Sequence, residues 1–306
     1  MFILNYDDYW INYVLKADPQ EIKRIIKENY IVSDGLKIHL DIYDNETSID
    51  KTIIFVHGTS VYSRFYVEWC YNLFQKGFRI VAPDLPGHGM SEGKRGHFTM
   101  EKFTKTIYDV VTHILEKYRG EVVVMGSSLG GITALYSAAR DPRLKGAICH
   151  NAAIFNEGAY KKIIKLTGIL KILAPVIPYL AKIAPTLKLS VFLYLDFNKL
   201  AKSSFIDRLD YILKDKLLSY KYSLTALRAQ MKEPLARPIE SIETPIMIIN
   251  GDEDYLFSVE YMREIYDRLT SRNKQLEILK GTSHLIFQEN IDEVMTLVIP
   301  WLNKIF

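Results

Sequence analysis

Cysteine is scarce in this sequence, since its 306 residues include only Cys70 and Cys149. Two cysteines form at most one bridge, so a disulfide-stapled scaffold is excluded and a reducing compartment is favoured. The sequence also lacks an apolar run of the roughly 18–20 residues that a membrane-spanning helix needs. Asp7 and Asp8 stand where an export signal has lysine or arginine. We therefore expect a cytoplasmic protein without an export signal.

A strong charge bias is absent as well. The 39 basic and 36 acidic side chains give a formal charge of +3, which is too small to predict a nucleic-acid partner. The glycine spacing of a dinucleotide fingerprint and the lysine of a phosphate-binding loop are missing from 126–131. No cofactor is predicted, and Asp84 with His88 does not amount to a metal site. What remains is an ordinary globular composition, 48% hydrophobic and 25% charged.

Short, nearly continuous apolar runs are the main secondary-structure signal. Such runs are typical of strands buried on both faces. They occur at Thr52–Val56, Arg79–Ala82, Glu121–Met125, Gly146–Cys149 and Pro245–Ile249, with an amphipathic sixth at Gln275–Leu279 and an alternating strand at Lys37–Tyr43. Helical patterns lie between them, near Phe65–Gln75, Met100–Lys117, Leu129–Arg140, Val259–Leu269 and Ile291–Asn303.

This alternation of strands and helices predicts an α/β fold, with an open and mostly parallel sheet covered on both sides. The interval 152–240 breaks the alternation, because it contains short helical pieces interrupted by proline. We expect three parts: an N-terminal helical extension at 1–32, an α/β core at 33–151 and 241–306, and a mainly helical cap at 152–240. Ligands of such sheets bind at the carboxyl ends of the strands.

A candidate nucleophile follows the strongest predicted strand. Residues 126–130 read Gly-Ser-Ser-Leu-Gly, which fits G-x-S-x-G around Ser128, and a helical pattern follows. The glycines allow a strand and a helix to approach closely, and the sharp turn exposes the serine hydroxyl. The sequence therefore predicts that Ser128 attacks an acyl carbonyl.

A serine nucleophile needs a general base, and the base needs an orienting acid. Of the seven histidines, His284 alone follows the last predicted strand. Asp252, Glu253 and Asp254 follow the strand before it, and spacing alone leaves all three open as the acid. The backbone N–H groups of Thr59 and Leu129 are the candidate donors to a tetrahedral oxyanion. His57 is interpreted as a brace for the loop that contains Thr59.

These motifs resemble the α/β-hydrolase superfamily. Within it, His57-Gly58, the loop 84–91 (Asp-Leu-Pro-Gly-His-Gly-Met-Ser) and its continuation to His97 are similar to the monoacylglycerol lipase and lysophospholipase branch, also called serine aminopeptidase-like hydrolases. The family pattern G-x-x-D selects Asp254 as the acid. The resemblance implies hydrolysis of carboxylic esters, often of single-chain lipids, without a cofactor. Thr59-Ser60 departs from the Gly-containing sequence of true monoacylglycerol lipases.

The expected function is thus a serine hydrolase that cleaves esters of single-chain lipids such as monoacylglycerols or lysophospholipids. The alternatives are a small-ester carboxylesterase, an aminopeptidase or an acyltransferase with the same triad, and, more remotely, a non-catalytic binding protein. Lysines at 161, 162, 165, 171, 182 and 188 alternate with apolar residues in the expected cap. This pattern fits either contact with an anionic membrane or a solvated roof over the active site. Nothing in the sequence determines the oligomeric state.

Overall fold

The computed structural model describes residues 6–44, 50–163, 174–200 and 212–306. Its strands are β1 (Ile26–Ser33), β2 (Leu36–Tyr43), β3 (Lys51–Val56), β4 (Arg79–Pro83), β5 (Glu121–Ser127), β6 (Gly146–His150), β7 (Lys188–Ser190), β8 (Lys221–Ser223), β9 (Ile246–Gly251) and β10 (Gln275–Leu279). Its helices are α1 (Pro19–Ile25), α2 (Val67–Gln75), α3 (Met100–Lys117), α4 (Leu129–Arg140), α5 (Ala159–Ile163), α6 (Ile177–Ile183), α7 (Leu224–Lys232), α8 (Val259–Arg268), α9 (Ile286–Glu289) and α10 (Ile291–Ile305).

Eight strands form one sheet in the order β1-β2-β4-β3-β5-β6-β9-β10. The pairs β1–β2 and β2–β4 are antiparallel, and all later pairs are parallel. The central strands β4, β6 and β9 are buried along their whole length, as the apolar runs predicted. Two apolar clusters cover the two faces of the sheet. The α/β-hydrolase fold expected from the sequence is therefore confirmed.

The N-terminal part differs from the expected helical extension at 1–32. Helix α1 begins at Pro19, with Asp18 as a cap that accepts the Gln20 N–H at 2.9 Å. Residues Ile26–Ser33, however, form β1 at the edge of the sheet. Asp34 and Gly35 both have positive φ, 49° and 74°, which is the geometry of a tight hairpin turn to β2. The alternation of apolar and polar side chains that predicts a strand is obscured in β1, because the segment is rich in polar residues. Its strand structure depends on pairing with β2.

The interval between β6 and β9 contains α5, α6, α7, short turns of 3₁₀ helix and the antiparallel pair β7–β8. The sequence did not predict this strand pair. Parts of the expected cap, 164–173 and 201–211, lie outside the described residues. Among the helices that the structure does describe, each is too short or too polar to cross a bilayer.

One buried carboxylate joins three distant segments of the chain. Asp215, which lies between β6 and β9 in sequence, accepts hydrogen bonds from the hydroxyls of Tyr13 at 2.5 Å and Tyr62 at 2.9 Å. Its second oxygen accepts the Leu217 N–H at 2.8 Å. Burial and the nearby carboxylate raise the pKa of both tyrosines, so both hydroxyls remain donors.

Helix α4 approaches the sheet at two glycines. A Cβ at Gly126 would lie 2.3 Å from the backbone of Gly130, and a Cβ at Gly130 would lie 2.1 Å from the Val56 carbonyl oxygen. Both distances are far inside van der Waals contact, and the obstructing atoms are backbone. Only glycine at these two positions lets β3, β5 and α4 pack at this spacing.

This close approach reverses the usual effect of alanine in a helix. Alanine normally stabilises a helix relative to glycine by about 1 kcal/mol. Here we expect Gly130→Ala to lower the free energy of unfolding by about 1–3 kcal/mol, because the backbone around Val56 must move. Urea unfolding of the two proteins measures the difference. An unchanged or higher unfolding midpoint in Gly130→Ala would contradict the packing argument.

Candidate active site

Ser128 stands at the turn between β5 and α4. Its backbone has φ 56° and ψ −119°, a conformation that is rare for a residue with a side chain. The Ser128 N–H donates to the His150 carbonyl oxygen at 2.9 Å, and its carbonyl accepts the first helical hydrogen bond, from Ile132, at 3.0 Å. The turn is therefore fixed on both sides, and it lies where the G-x-S-x-G pattern predicts a sharp turn between strand and helix.

His284 follows β10, and its ring pairs with a single carboxylate. His284 Nδ1 lies 2.8 Å from Asp254 Oδ2, and both side chains are buried. Because a carboxylate accepts, the proton lies on Nδ1, and Nε2 keeps a lone pair for a base. The other two candidate acids, Asp252 and Glu253, are exposed, and Asp252 accepts the Gly281 N–H at 2.7 Å. The geometry thus agrees with the choice of Asp254.

The Asp254 carboxylate is held by four donors. Its Oδ1 accepts the N–H groups of Leu256 and Phe257 at 2.8 and 3.1 Å. Its Oδ2 accepts from His284 and from the Asn151 side-chain amide, the latter at 3.0 Å. Burial raises the pKa of Asp254, but its electrostatic interaction and hydrogen bond with His284, together with the other donors, lower it to about 2. Asp254 therefore stays ionised and orients the ring.

Asn151 was not found by the sequence analysis. It follows β6 with φ 67°, and its amide also donates to Asn250 Oδ1 at 2.5 Å. Its position at the carboxyl end of a central strand was the available signal, but an asparagine there has no distinctive motif.

Ser128 and His284 line one cavity together with Thr59, Ser60 and Leu129. The side chains of Ser128 and His284 form no hydrogen bond with each other. In free hydrolases the contact between nucleophile and base is often long, and it shortens when substrate binds. Among the described residues, none accepts a hydrogen bond from the N–H of Thr59 or of Leu129. Both donors are thus available at the cavity that contains the serine.

His57 braces the oxyanion loop, which we define as Gly58–Ser60. His57 Nδ1 lies 2.9 Å from the Gly58 carbonyl oxygen, and His57 Nε2 accepts the Leu85 N–H at 3.0 Å. Burial lowers the pKa of this histidine, so it remains neutral. With one nitrogen donating and the other accepting, His57 holds the loop rather than acting as a base, in agreement with its interpretation from the sequence.

Within the described part of the chain, two groups of side chains have metal-type ligand atoms within 4.8 Å of one another, namely His150, Asp254 and His284, and Glu28, His39 and Asp41. In the first group, Asp254 and His284 are hydrogen-bonded to each other. In the second, Asp41 accepts from the Arg64 guanidinium at 2.9 Å. A cation would have to displace these partners, so we assign no metal to either group.

The fold, with a serine at the strand–helix turn and a histidine–aspartate pair at the neighbouring strand ends, defines an α/β hydrolase. The model of the Hydrolase_4 family, described as serine aminopeptidase S33, matches residues 47–291, and the chain belongs to this family. The resemblance noted from the sequence is confirmed.

The chain is 26% identical to phospholipase YtpA of Bacillus subtilis, over 78% of this chain and 88% of that protein. It is 25% identical to human monoglyceride lipase, over 94% and 92% of the two chains. The crystal structure of monoacylglycerol lipase from Paleococcus ferrophilus is similar with a TM-score of 0.71 and 25% identity, covering 88% of this chain and 99% of that one.

The buried histidines predict a stability that depends on pH. Burial lowers the pKa of His57, and that of His88 and His150 to about 3. Below about pH 6.5 the unfolded chain binds protons that these folded rings do not, so the free energy of unfolding falls as the pH falls. His39 opposes this effect, because Asp84 and Asp41 overcome the influence of burial and raise its pKa.

We expect urea unfolding at pH 5 to give a lower free energy of unfolding than at pH 7. The difference between the two pH values should be smaller in His150→Gln, which removes one of the titrating rings. Equal stability of the unaltered protein at the two pH values would show that these rings take up protons in the folded state.

Proposed function

We propose that this protein, a serine ester hydrolase by family, cleaves esters of single-chain lipids at Ser128. The observation that carries this proposal is the cavity. Ser128 and His284 lie in the wall of a cavity whose surface is largely apolar. Such a surface binds the apolar part of a ligand beside the proposed nucleophile.

The lining of the cavity is suited to an acyl chain. It includes Phe65, Ile132, Phe155, Leu195, Phe197 and Leu218. Each buried methylene contributes roughly 0.8 kcal/mol, so a long chain gains substantially from this surface. Lysine, arginine, aspartate and glutamate are absent from the described lining. This absence disfavours sugars and highly charged acyl groups.

The reaction follows from the positions of the polar groups. His284 Nε2 takes the proton of Ser128 as Oγ attacks the ester carbonyl, and Asp254 stabilises the imidazolium. The N–H groups of Thr59 and Leu129 donate to the oxyanion of the tetrahedral intermediate. The alcohol leaves with the proton from His284, and an acyl-enzyme remains. Water, deprotonated by His284, then releases the fatty acid.

Relatives that are named for lipid substrates support this assignment. Monoglyceride lipase and phospholipase are the activities named for proteins that align over most of the chain. The domain arrangement that we propose also fits: a core at 33–151 and 241–306, to which β1 adds Ile26–Ser33, and a cap at 152–240. Phe155, Leu195 and Phe197, which lie in this proposed cap, supply part of the cavity wall.

The first experiments test the identity of the nucleophile and the preferred length of the acyl chain. We expect a fluorophosphonate to label Ser128, and Ser128→Ala to lose at least about 10⁴-fold in kcat. With saturated monoacylglycerols, kcat/KM should rise with acyl length, by up to about fourfold per methylene. Lysophospholipids, p-nitrophenyl acetate and aminoacyl naphthylamides serve as comparison substrates. Labelling at another residue, or a preference for the amides, contradicts the assignment.

We also propose that the cap contacts anionic membranes. Exposed apolar side chains cluster on and near α6 and β7, and we call this set the cap apolar surface: Tyr179, Leu180, Ile183, Leu187, Phe192 and Leu193. Lys182 and Lys188 are exposed beside it, and no acid occurs between Glu157 and Asp196. Apolar anchors with a basic rim are typical of helices that lie on anionic lipid.

Not all of the cap lysines contribute. Lys162 pairs with Glu264, and Lys165 and Lys171 lie outside the described residues.

Sedimentation with vesicles of phosphatidylglycerol and phosphatidylcholine tests the membrane contact. Ile183, with 82% of its surface exposed, is the most exposed residue of the cap apolar surface, and Ile183→Asp should lower the bound fraction several-fold. Val32→Asp is the matched control, because Val32 is 73% exposed on the edge strand β1. Equal binding of the two variants, or equal binding to purely zwitterionic vesicles, would contradict the proposed contact.

A further inference from the structure

Strand β8, within the proposed cap, reaches the oxyanion loop through one side chain. Tyr222 is fully buried, and its hydroxyl oxygen accepts the Ser60 N–H at 2.6 Å. The neighbouring Ser219 N–H donates to the Ser60 carbonyl oxygen at 2.8 Å. Both backbone groups of Ser60 are therefore bonded to residues 219–222, far away in the sequence.

The Tyr222 hydroxyl donates a hydrogen bond to His88. His88 Nδ1 lies 3.2 Å from the Pro86 carbonyl oxygen, which only accepts, so Nδ1 carries the ring proton. Burial lowers the pKa of His88 to about 3, so the ring is neutral and Nε2 is an acceptor. Nε2 lies 3.2 Å from the Tyr222 oxygen. Tyr222 thus donates to His88 and accepts from Ser60, and its orientation is determined.

This arrangement fixes the peptide next to the proposed oxyanion donor. The peptide from Gly58 to Thr59 contains the Thr59 N–H, and His57 holds its carbonyl oxygen at 2.9 Å. The following peptide, from Thr59 to Ser60, contains the N–H that Tyr222 holds. Ser60 has φ 70°, which is unfavourable for serine and needs such support. Thr59 is therefore held between a core histidine and a cap tyrosine.

We infer that Tyr222, oriented by His88, is a positioning residue that keeps the Thr59 N–H directed at the oxyanion, so that the cap completes the catalytic machinery of the core. The inference rests on the proposed function, in which Ser128 forms an acyl-enzyme and Thr59 donates to the intermediate. It also gives His88, in the loop 84–91 that the sequence singled out, a role in the reaction. Hydrogen-bond donors that are already oriented toward the oxyanion before the reaction stabilise the transition state more than the bound substrate.

The test compares Tyr222→Phe with the unaltered protein on one monoacylglycerol. Phenylalanine keeps the ring and removes the hydroxyl. We expect kcat to fall by about 10- to 100-fold, somewhat less than the loss of an oxyanion donor itself, with KM changed less than about twofold. His88→Asn, which keeps a donor near Pro86 and removes the Nε2 acceptor, should lower kcat in the same direction by a smaller factor.

A pair of inhibitors separates positioning from general damage. An alkyl trifluoromethyl ketone adds to the serine and forms an oxyanion, whereas the matching methyl ketone binds without comparable addition. In Tyr222→Phe the inhibition constant of the trifluoromethyl ketone should rise in parallel with the loss of kcat, and that of the methyl ketone should not change.

Tyr261→Phe is the matched control, because its hydroxyl also accepts a backbone N–H, from Ile154 at 3.3 Å, away from the oxyanion loop. It should leave kcat and both inhibition constants unchanged.

The outcomes distinguish the inference from the proposed function. If the fluorophosphonate labels Ser128 and Tyr222→Phe keeps full kcat, the inference is wrong and the proposed function stands. A parallel rise in both inhibition constants, or an equal loss in Tyr261→Phe, also overturns it, since either result indicates general disturbance of the fold. If the unaltered protein is not labelled at Ser128, the proposed function itself fails.

Discussion

The backbone contact between α4 and β3 is the constraint on which the site depends. Gly130 leaves no room for a Cβ beside Val56, and the same tight spacing forces Ser128 into its rare conformation. The strain at Ser128 is sustained by a sheet whose central strands are wholly buried. The rigid core thus keeps the serine hydroxyl exposed at the edge of the cavity, which the turn alone could not do.

Neutral buried rings provide the polar framework around this serine. Asp254 is ionised and has four hydrogen-bond donors, whereas burial keeps His57, His88 and His150 uncharged. A neutral ring can donate at one nitrogen and accept at the other. His57 in this way links the Gly58 carbonyl to the Leu85 N–H without adding charge. Asp254 thus places its negative charge beside the His284 ring, where the proposed reaction needs it.

The sequence predicted the elements whose signals are local. Buried parallel strands are continuous apolar runs, so β3 to β6, β9 and β10 were found nearly to the residue, as was the strand–serine–helix turn. The candidate acid needed the family pattern, because three carboxyl groups share one loop. Strand β1, Asn151 and Tyr222 were missed for a common reason. Their structures depend on partners remote in sequence, namely β2, Asp254 and Ser60, and no spacing within the chain encodes those contacts.

Asp215 connects the N-terminal segment, the stretch that follows the oxyanion loop and the region between β6 and β9 through two tyrosine hydroxyls. Because the carboxylate is shared in this way, the residues that form these hydrogen bonds must be retained together in all three segments. Recombination that exchanges the region between β6 and β9 among related hydrolases retains this junction only when the donor supplies an acid opposite Tyr13 and Tyr62.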